Sequence, residues 1–128
     1  MALPEDAKSV IVKYDVNRLS PNQRIFWAER SKRTKAAKAL AEWSWRTQGR
    51  PGFNGPCNYH LVIFRGRRID QDNAVASCKA ILDGLFHGQM LPDDSEKYAK
   101  LHGIEQVTGK AWERCEAVQV AVWERAKE

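Results

Sequence analysis

The segment Cys57–Arg65 constrains this chain more than any other, because Tyr59, Leu61 and Ile63 alternate with His60, Val62 and Phe64 and leave both faces of an extended strand largely apolar. A strand of that kind reads as the centre of a sheet. It runs directly into Arg65-Gly66-Arg67-Arg68 and then into Asp70-Gln71-Asp72-Asn73, so basic and acidic groups meet at its end. Asp83 and the pair Asp93-Asp94 follow. Repulsion among so many carboxylates beside apolar segments has to be relieved by a cation, a proton or water. A hard divalent ion, held by one or two carboxylates and sharing its other positions with a phosphate, satisfies that need and points to phosphodiester chemistry.

The flanking segments supply the remaining elements. Residues 10–16 alternate from Ile11 onward and read as a half-buried strand. Ser20-Pro21-Asn22-Gln23 reads as a helix start, with Ser20 as cap, Pro21 in the first helical position and Gln23 completing a capping box. That helix is expected to run to about Gln48, ahead of Gly49 and Pro51. On a wheel, Ile25, Phe26, Ala36, Ala37, Leu40 and Trp43 share an arc of about 120°, with Arg24, Lys35, Lys38 and Arg46 on the far side. Arg33 falls inside the apolar arc, where it must snorkel or reach an anion. The Gly/Pro-rich loop at 50–56 opens no helix, which excludes a phosphate cradle. A second helix is expected over 73–87, burying Val75, Cys78, Ile81, Leu82 and Leu85 and presenting Asp72, Ala76, Lys79, Asp83 and His87 as a polar stripe. A third strand near 104–107 and a last over 112–124 complete the order β-α-β-α-β-β. The expectation is an α+β fold, a small mixed or antiparallel sheet of about four strands covered by two helices, as a single domain over residues 1–128.

Charge is distributed unevenly. Residues 17–68 carry a local charge of +10, whereas residues 69–128 carry −4, which predicts a polyanion partner on one surface. Cys57, Cys78 and Cys115 are widely spaced and read as reduced core residues of a cytoplasmic protein. His60, His87 and His102 lack zinc-ligand spacing. Neither a signal core nor a membrane-spanning run is present, so no membrane partner is expected. A calcium loop of the EF-hand kind is excluded, since Val75 and Ile81 occupy positions that require Gly and Glu. Asp72 also suits a helix cap, a role that leaves Asp70 and the downstream pair unexplained.

Taken together, Asp70, Asp72 and Asn73 at a strand end, a helix carrying Lys79 and then Asp83-Gly84-Leu85, and a loop ending in Asp93-Asp94-Ser95 resemble the RusA family of Holliday junction resolvases, especially its phage and prophage members. The resemblance covers about residues 57–97. It implies a homodimeric endonuclease that binds branched double-stranded DNA and cuts four-way junctions with Mg²⁺, or with Mn²⁺ in its place, leaving 5′-phosphate ends and using no small-molecule cofactor. Matched by motif, Asp70, Asp72 and Asp94 would be the essential acids, Asp93 would join them as a metal ligand, and Lys79 would be the catalytic lysine. Lys79 stands seven residues after Asp72 instead of one helical turn, a spacing that returns to the same helix face. Arg24, Lys35, Lys38, Arg46, Arg65, Arg67 and Arg68 are the expected contacts to the DNA backbone. Trp27 and Trp45 stand beside the charged face, suited either to stacking on unpaired bases or to core packing. A non-catalytic DNA-binding accessory protein, and a nuclease for other branched substrates or RNA, are the alternatives.

One geometric expectation is independent of the resemblance. A helix over 73–87 would be about 22 Å long, and the loop back to Asp94 reaches about 20 Å when fully stretched. Asp94 would barely reach Asp70 around its own helix, so the site must close through a doubled-back loop or a neighbouring subunit.

Overall fold

The computed structural model describes residues 3–87, 89–93, 95 and 97–125. Strands β1 (Lys8–Val12), β2 (Cys57–Arg65), β3 (Ala99–Thr108) and β4 (Ala117–Glu124) form one sheet in the order β1-β4-β2-β3. β4 runs antiparallel to both β1 and β2, whereas β2 and β3 are parallel. The expected α+β architecture with a mixed four-stranded sheet is therefore present, and β2 is central. Helices α1 (Trp27–Thr47), α2 (Gln71–Ser77) and α3 (Lys79–Phe86) complete it. A parallel pair cannot be joined by a hairpin, so α2 and α3 carry the chain back along β2 before β3 begins.

Cross-strand register builds the core. Val10 lies opposite Val120, which lies opposite Leu61, and Val12, Val118 and Ile63 form the next row. These rows are buried in one cluster with Ala37 and Ala41 of α1 and with Ile81, Leu85 and Phe86 of α3. Each large aliphatic side chain so buried contributes about 1.5–3 kcal/mol. Among the described residues, no helix is long and apolar enough to cross a membrane.

The first helix corrects the sequence reading in two respects. It begins at Trp27, not at Pro21. Residues 16–19 form a tight helical turn instead, with the Asp15 carboxylate accepting from the Asn17 N–H. Ser20 Oγ then accepts from the Asn22 N–H, and the Arg30 guanidinium donates to the carbonyls of Leu19, Ser20 and Gln23 at 3.4, 3.3 and 3.0 Å. Local turn bonds thus take Ser20 Oγ and the Ser20 and Gln23 N–H groups that a capping box would pair, and Arg30 holds the Ser20 and Gln23 carbonyls that a helix from Pro21 would offer to its own N–H groups. The buried stripe of α1 is Ala37, Ala41 and Ser44, turned by roughly 70° from the expected arc. Phe26 and Trp43 are exposed, and so is Ala36. Small residues are required on the inner stripe because α3 comes very close: a Cβ on Gly84 would stand 2.7 Å from the Lys38 carbonyl oxygen and 2.9 Å from Ala41 Cβ. Arg33 does reach an anion, Glu29, at 3.1 Å, and also donates to the Arg18 carbonyl.

The expected second helix is broken at Cys78. Its N–H bonds to the Val75 carbonyl at 3.0 Å, and Ser77 Oγ turns back to the Asn73 carbonyl at 2.7 Å, a contact that bends helices. Strand boundaries move as well. β1 ends at Val12, β3 extends to ten residues, and β4 starts at Ala117 instead of 112. Residues 110–112 form a short helical turn that lays Trp112 on Phe64 with ring centroids 4.5 Å apart.

Cys57 and Cys78 are buried, but Cys115 is exposed and so departs from the expected core role. Burial pushes the Cys78 thiol up to about 12. Burial, reinforced by the Glu124 carboxylate, pushes Cys57 up to about 11. Both stay protonated and unreactive near about pH 8. A chromogenic disulfide reagent is expected to titrate Cys115 alone in the native protein and all three thiols after unfolding; rapid native labelling of a second thiol would contradict this burial.

Candidate functional site

The chain leaves β2 through a braced basic loop. Arg65 Nε contacts Asp15 Oδ1 at 2.8 Å, and its guanidinium also donates to the Arg67 carbonyl at 2.7 Å. Arg65 therefore braces the loop through these two bonds. Arg67 and Arg68 remain exposed beside it. The next residue, Ile69, is fixed by a side chain that the sequence reading did not single out. Gln106 of β3 accepts from the Ile69 N–H at 2.7 Å and donates to the Ile69 carbonyl at 2.9 Å, standing in for a strand partner. A lone Gln in a strand carries no signal of this role.

Asp70 follows as the cap residue of α2, and its carboxylate accepts no hydrogen bond from the helix N–H groups. Asp72 sits in the first turn. The capping position thus falls on Asp70, not Asp72, and the two acids straddle a helix start. Both are exposed, and the positive end of the helix favours their charge. Two exposed carboxylates without a committed cap bond suit a hard cation that completes its shell with water and phosphate oxygens.

Lys79 opens α3 and lies 3.9 Å from Asp83. The pair lines a groove of about 400 Å³ with Tyr59, Val75, Leu82 and Phe86. Asp83 also borders a second groove of about 550 Å³ between α1 and α3, with Lys38, Glu42 and His87. The polar stripe is solvent-facing as expected, but the break at Cys78 removes the continuous helix on which the relation of Lys79 to Asp72 was counted.

The chain after Asp93 leads to the other end of the sheet. Ser95 accepts from the N–H groups of Tyr98 and Ala99, and Ala99 pairs with Cys57 at the start of β2. Asp70 follows the opposite end, where Arg65 pairs with Thr108. At about 3.3 Å per residue these ends are separated by roughly 26 Å. Among the described residues, no group of three His, Cys, Asp or Glu side chains could hold a metal ion. The structure therefore sets Asp70 and Asp72 at one helix start and leads the chain after Asp93 into the start of β3, while Asp94 lies outside the described residues.

Of the other expected DNA contacts, Lys35 and Lys38 project from the exposed face of α1, and Arg24 lines a groove ahead of it. Arg46 is exposed but paired with Glu42 four residues earlier. Trp45 is half-buried and donates to the Pro51 carbonyl at 2.7 Å, so it packs the loop after α1. Trp27, by contrast, is 83% exposed.

In comparisons with known proteins, no family model matches the chain, and no curated protein matches it significantly.

Proposed function

We propose that this chain is a Mg²⁺-dependent, structure-specific DNA endonuclease of the cytoplasm that cuts four-way junctions as a homodimer. The observation that carries the reading is the placement of Asp70 and Asp72, exposed and without a cap bond, directly after the cationic Arg67-Arg68 loop at the end of the central strand. A bound Mg²⁺ supplies charge neutralisation at the scissile phosphate and a water acidified for attack. The protein's part is positional. Asp70 and Asp72 offer the ligand oxygens, Gln106 anchors the backbone next to Asp70, and Arg67 and Arg68 draw the phosphate chain to the same sheet end. Because the chain that follows Asp93 enters β3 at the start of β2, a second subunit is the proposed source from which the downstream acids, Asp93 and Asp94, would complete the set. Lys79, with Asp83 beside it, is proposed to contact the DNA phosphates and support the developing charge.

The alternative is a DNA-binding accessory protein without chemistry. The lack, among the described residues, of three converging acids in one chain favours it. A nicking assay on a synthetic four-way junction separates the two. Cleavage is expected with Mg²⁺ and not with chelator, and Asp72→Asn is expected to reduce it by roughly a hundred-fold or more while junction binding persists. Tight binding with no Mg²⁺-dependent nicking would establish the accessory role, and preferential cleavage of flaps or RNA would move the substrate class.

A further inference from the structure

The start of α1 carries a feature that neither the acids nor the core explains. Phe26 is 87% exposed and Trp27, beside it, is 83% exposed. Large aromatic side chains are seldom left so bare, and two adjacent ones mark a contact surface more often than an accident of packing. Their backbone is held firmly. Arg30 binds the carbonyls of Leu19, Ser20 and Gln23, and the Arg30 N–H donates to the Phe26 carbonyl at 3.0 Å. The junction between loop and helix is thereby braced from within, and the two rings are presented on a fixed support.

The surroundings select the partner. Arg24, Ile25, Phe26 and Glu29 line an open groove of about 470 Å³. The Glu29 carboxylate is held by Arg33 at 3.1 Å, so the acid in this groove is neutralised. Along α1, Lys35 and Lys38 fall within roughly 80° of Trp27 on the helix surface. Among the described residues, neither lysine has a carboxylate partner within ion-pair distance. Bare rings framed by unpaired cations, on the segment whose net charge is +10, match a polyanion that also offers flat apolar faces. Unpaired nucleotides combine those two properties, because each exposed base stacks on an aromatic ring while its phosphate meets a lysine or arginine.

We infer that Phe26 and Trp27 form a base-stacking platform for unpaired nucleotides of DNA, with Arg24, Lys35 and Lys38 tracking the adjoining phosphates. The inference rests on the reading of the chain as a DNA-binding protein and gives the aromatic pair the part of preferring open, unstacked strand over closed duplex. A continuous duplex keeps its bases stacked inside, so it can use the cations of this surface but not its rings.

The test compares two probes at one salt concentration: a fluorescently labelled oligothymidylate of about 20 nucleotides and a blunt duplex with the same number of phosphates. Phe26→Ala/Trp27→Ala is expected to weaken oligothymidylate binding by about ten-fold or more and to change duplex binding by less than about three-fold. Because no charge is removed, the slope of log affinity against log salt is expected to stay the same. Trp27→Phe, which keeps a ring, is expected to retain most of the affinity and to abolish the largest part of the tryptophan quenching that oligothymidylate causes in the wild type. Equal losses on both probes, no loss on either, or a shift in oligomeric state in the double variant would each overturn the platform; the last would assign the rings to a protein contact. Running the binding assay in chelator keeps it independent of the catalytic reading, since the proposed cleavage requires Mg²⁺ and base stacking does not. Failure of Mg²⁺ cleavage with ring-dependent binding intact would reject the nuclease alone. Cleavage with ring-independent binding would reject the platform alone.

Discussion

Mixed in equal amounts and allowed to exchange subunits, Asp70→Asn and Asp94→Asn chains are expected to recover about a quarter of wild-type junction cleavage, although each variant alone has lost nearly all of it. The arithmetic follows from a site built of both chains. Random exchange makes about half of the dimers mixed, and each mixed dimer holds one site with both acids and one with neither. The physical basis is the span of β2. Asp70 follows the end of the sheet at Arg65, whereas Ser95, two residues after Asp93, bonds to Ala99 at the other end, where Ala99 pairs with Cys57. No side chain bridges roughly 26 Å of strand. Nicked product measured on a gel after exchange provides the readout. A mixture as inactive as its components would remove the shared site, and activity in either variant alone would remove that residue from the essential acids.

Gly84→Val is expected to lower the unfolding temperature by roughly 10 °C or more, corresponding to about 3 kcal/mol in a domain of this size. The prediction opposes the usual trend, because replacing Gly within a helix by a residue with a Cβ ordinarily improves helix propensity, by about 1 kcal/mol for Ala. Here the added atom would meet the Lys38 carbonyl oxygen at 2.7 Å, Ala41 Cβ at 2.9 Å and Lys38 Cα at 3.1 Å. Two of these three neighbours are backbone atoms, so α1 would have to move bodily off α3. Gly84→Ala is expected to fall on the same side with a smaller loss. Thermal unfolding of both variants is the measurement, and a stability equal to or above that of the parent would show that the helices do not approach as closely as described.

The signals that were legible in sequence are the strongly periodic ones. β2 was recognisable in place and boundaries, because a run apolar on both faces has few homes other than the centre of a sheet. Cys78, Ile81, Leu82 and Leu85 were recognisable as buried for the same kind of reason, and all four are, whereas Val75, expected beside them, is half-buried. The start of α1 was misread because Ser20, Pro21 and Gln23 satisfy every local requirement of a capping box. What defeats it is a set of turn bonds that takes Ser20 Oγ and the Ser20 and Gln23 N–H groups, braced by Arg30, a residue on the helix itself that folds back to the Leu19, Ser20 and Gln23 carbonyls. The wheel placed Ala37 correctly on the buried face, but it carried Ile25 and Phe26 into an arc to which neither belongs and centred the predicted face away from Ala41 and Ser44.

At the candidate site the divide has the same origin. Asp70, Asp72, Arg67 and Arg68 follow one another along the chain, so their proximity was settled by the sequence alone. The role of Arg65 was not, because its partner Asp15 is fifty positions away in the chain, and nothing local distinguishes a loop brace from a phosphate contact. Gln106 was invisible for the same reason. The parallel pairing of β2 with β3 was likewise a tertiary decision, and it leads the chain after Asp93 to the far end of the sheet from Asp70. Side-chain chemistry and near-neighbour periodicity are written into the order of residues. Which groups meet across long stretches of chain depends on how the rows of Val, Leu and Ile close the core, and only the folded sheet sets that distance.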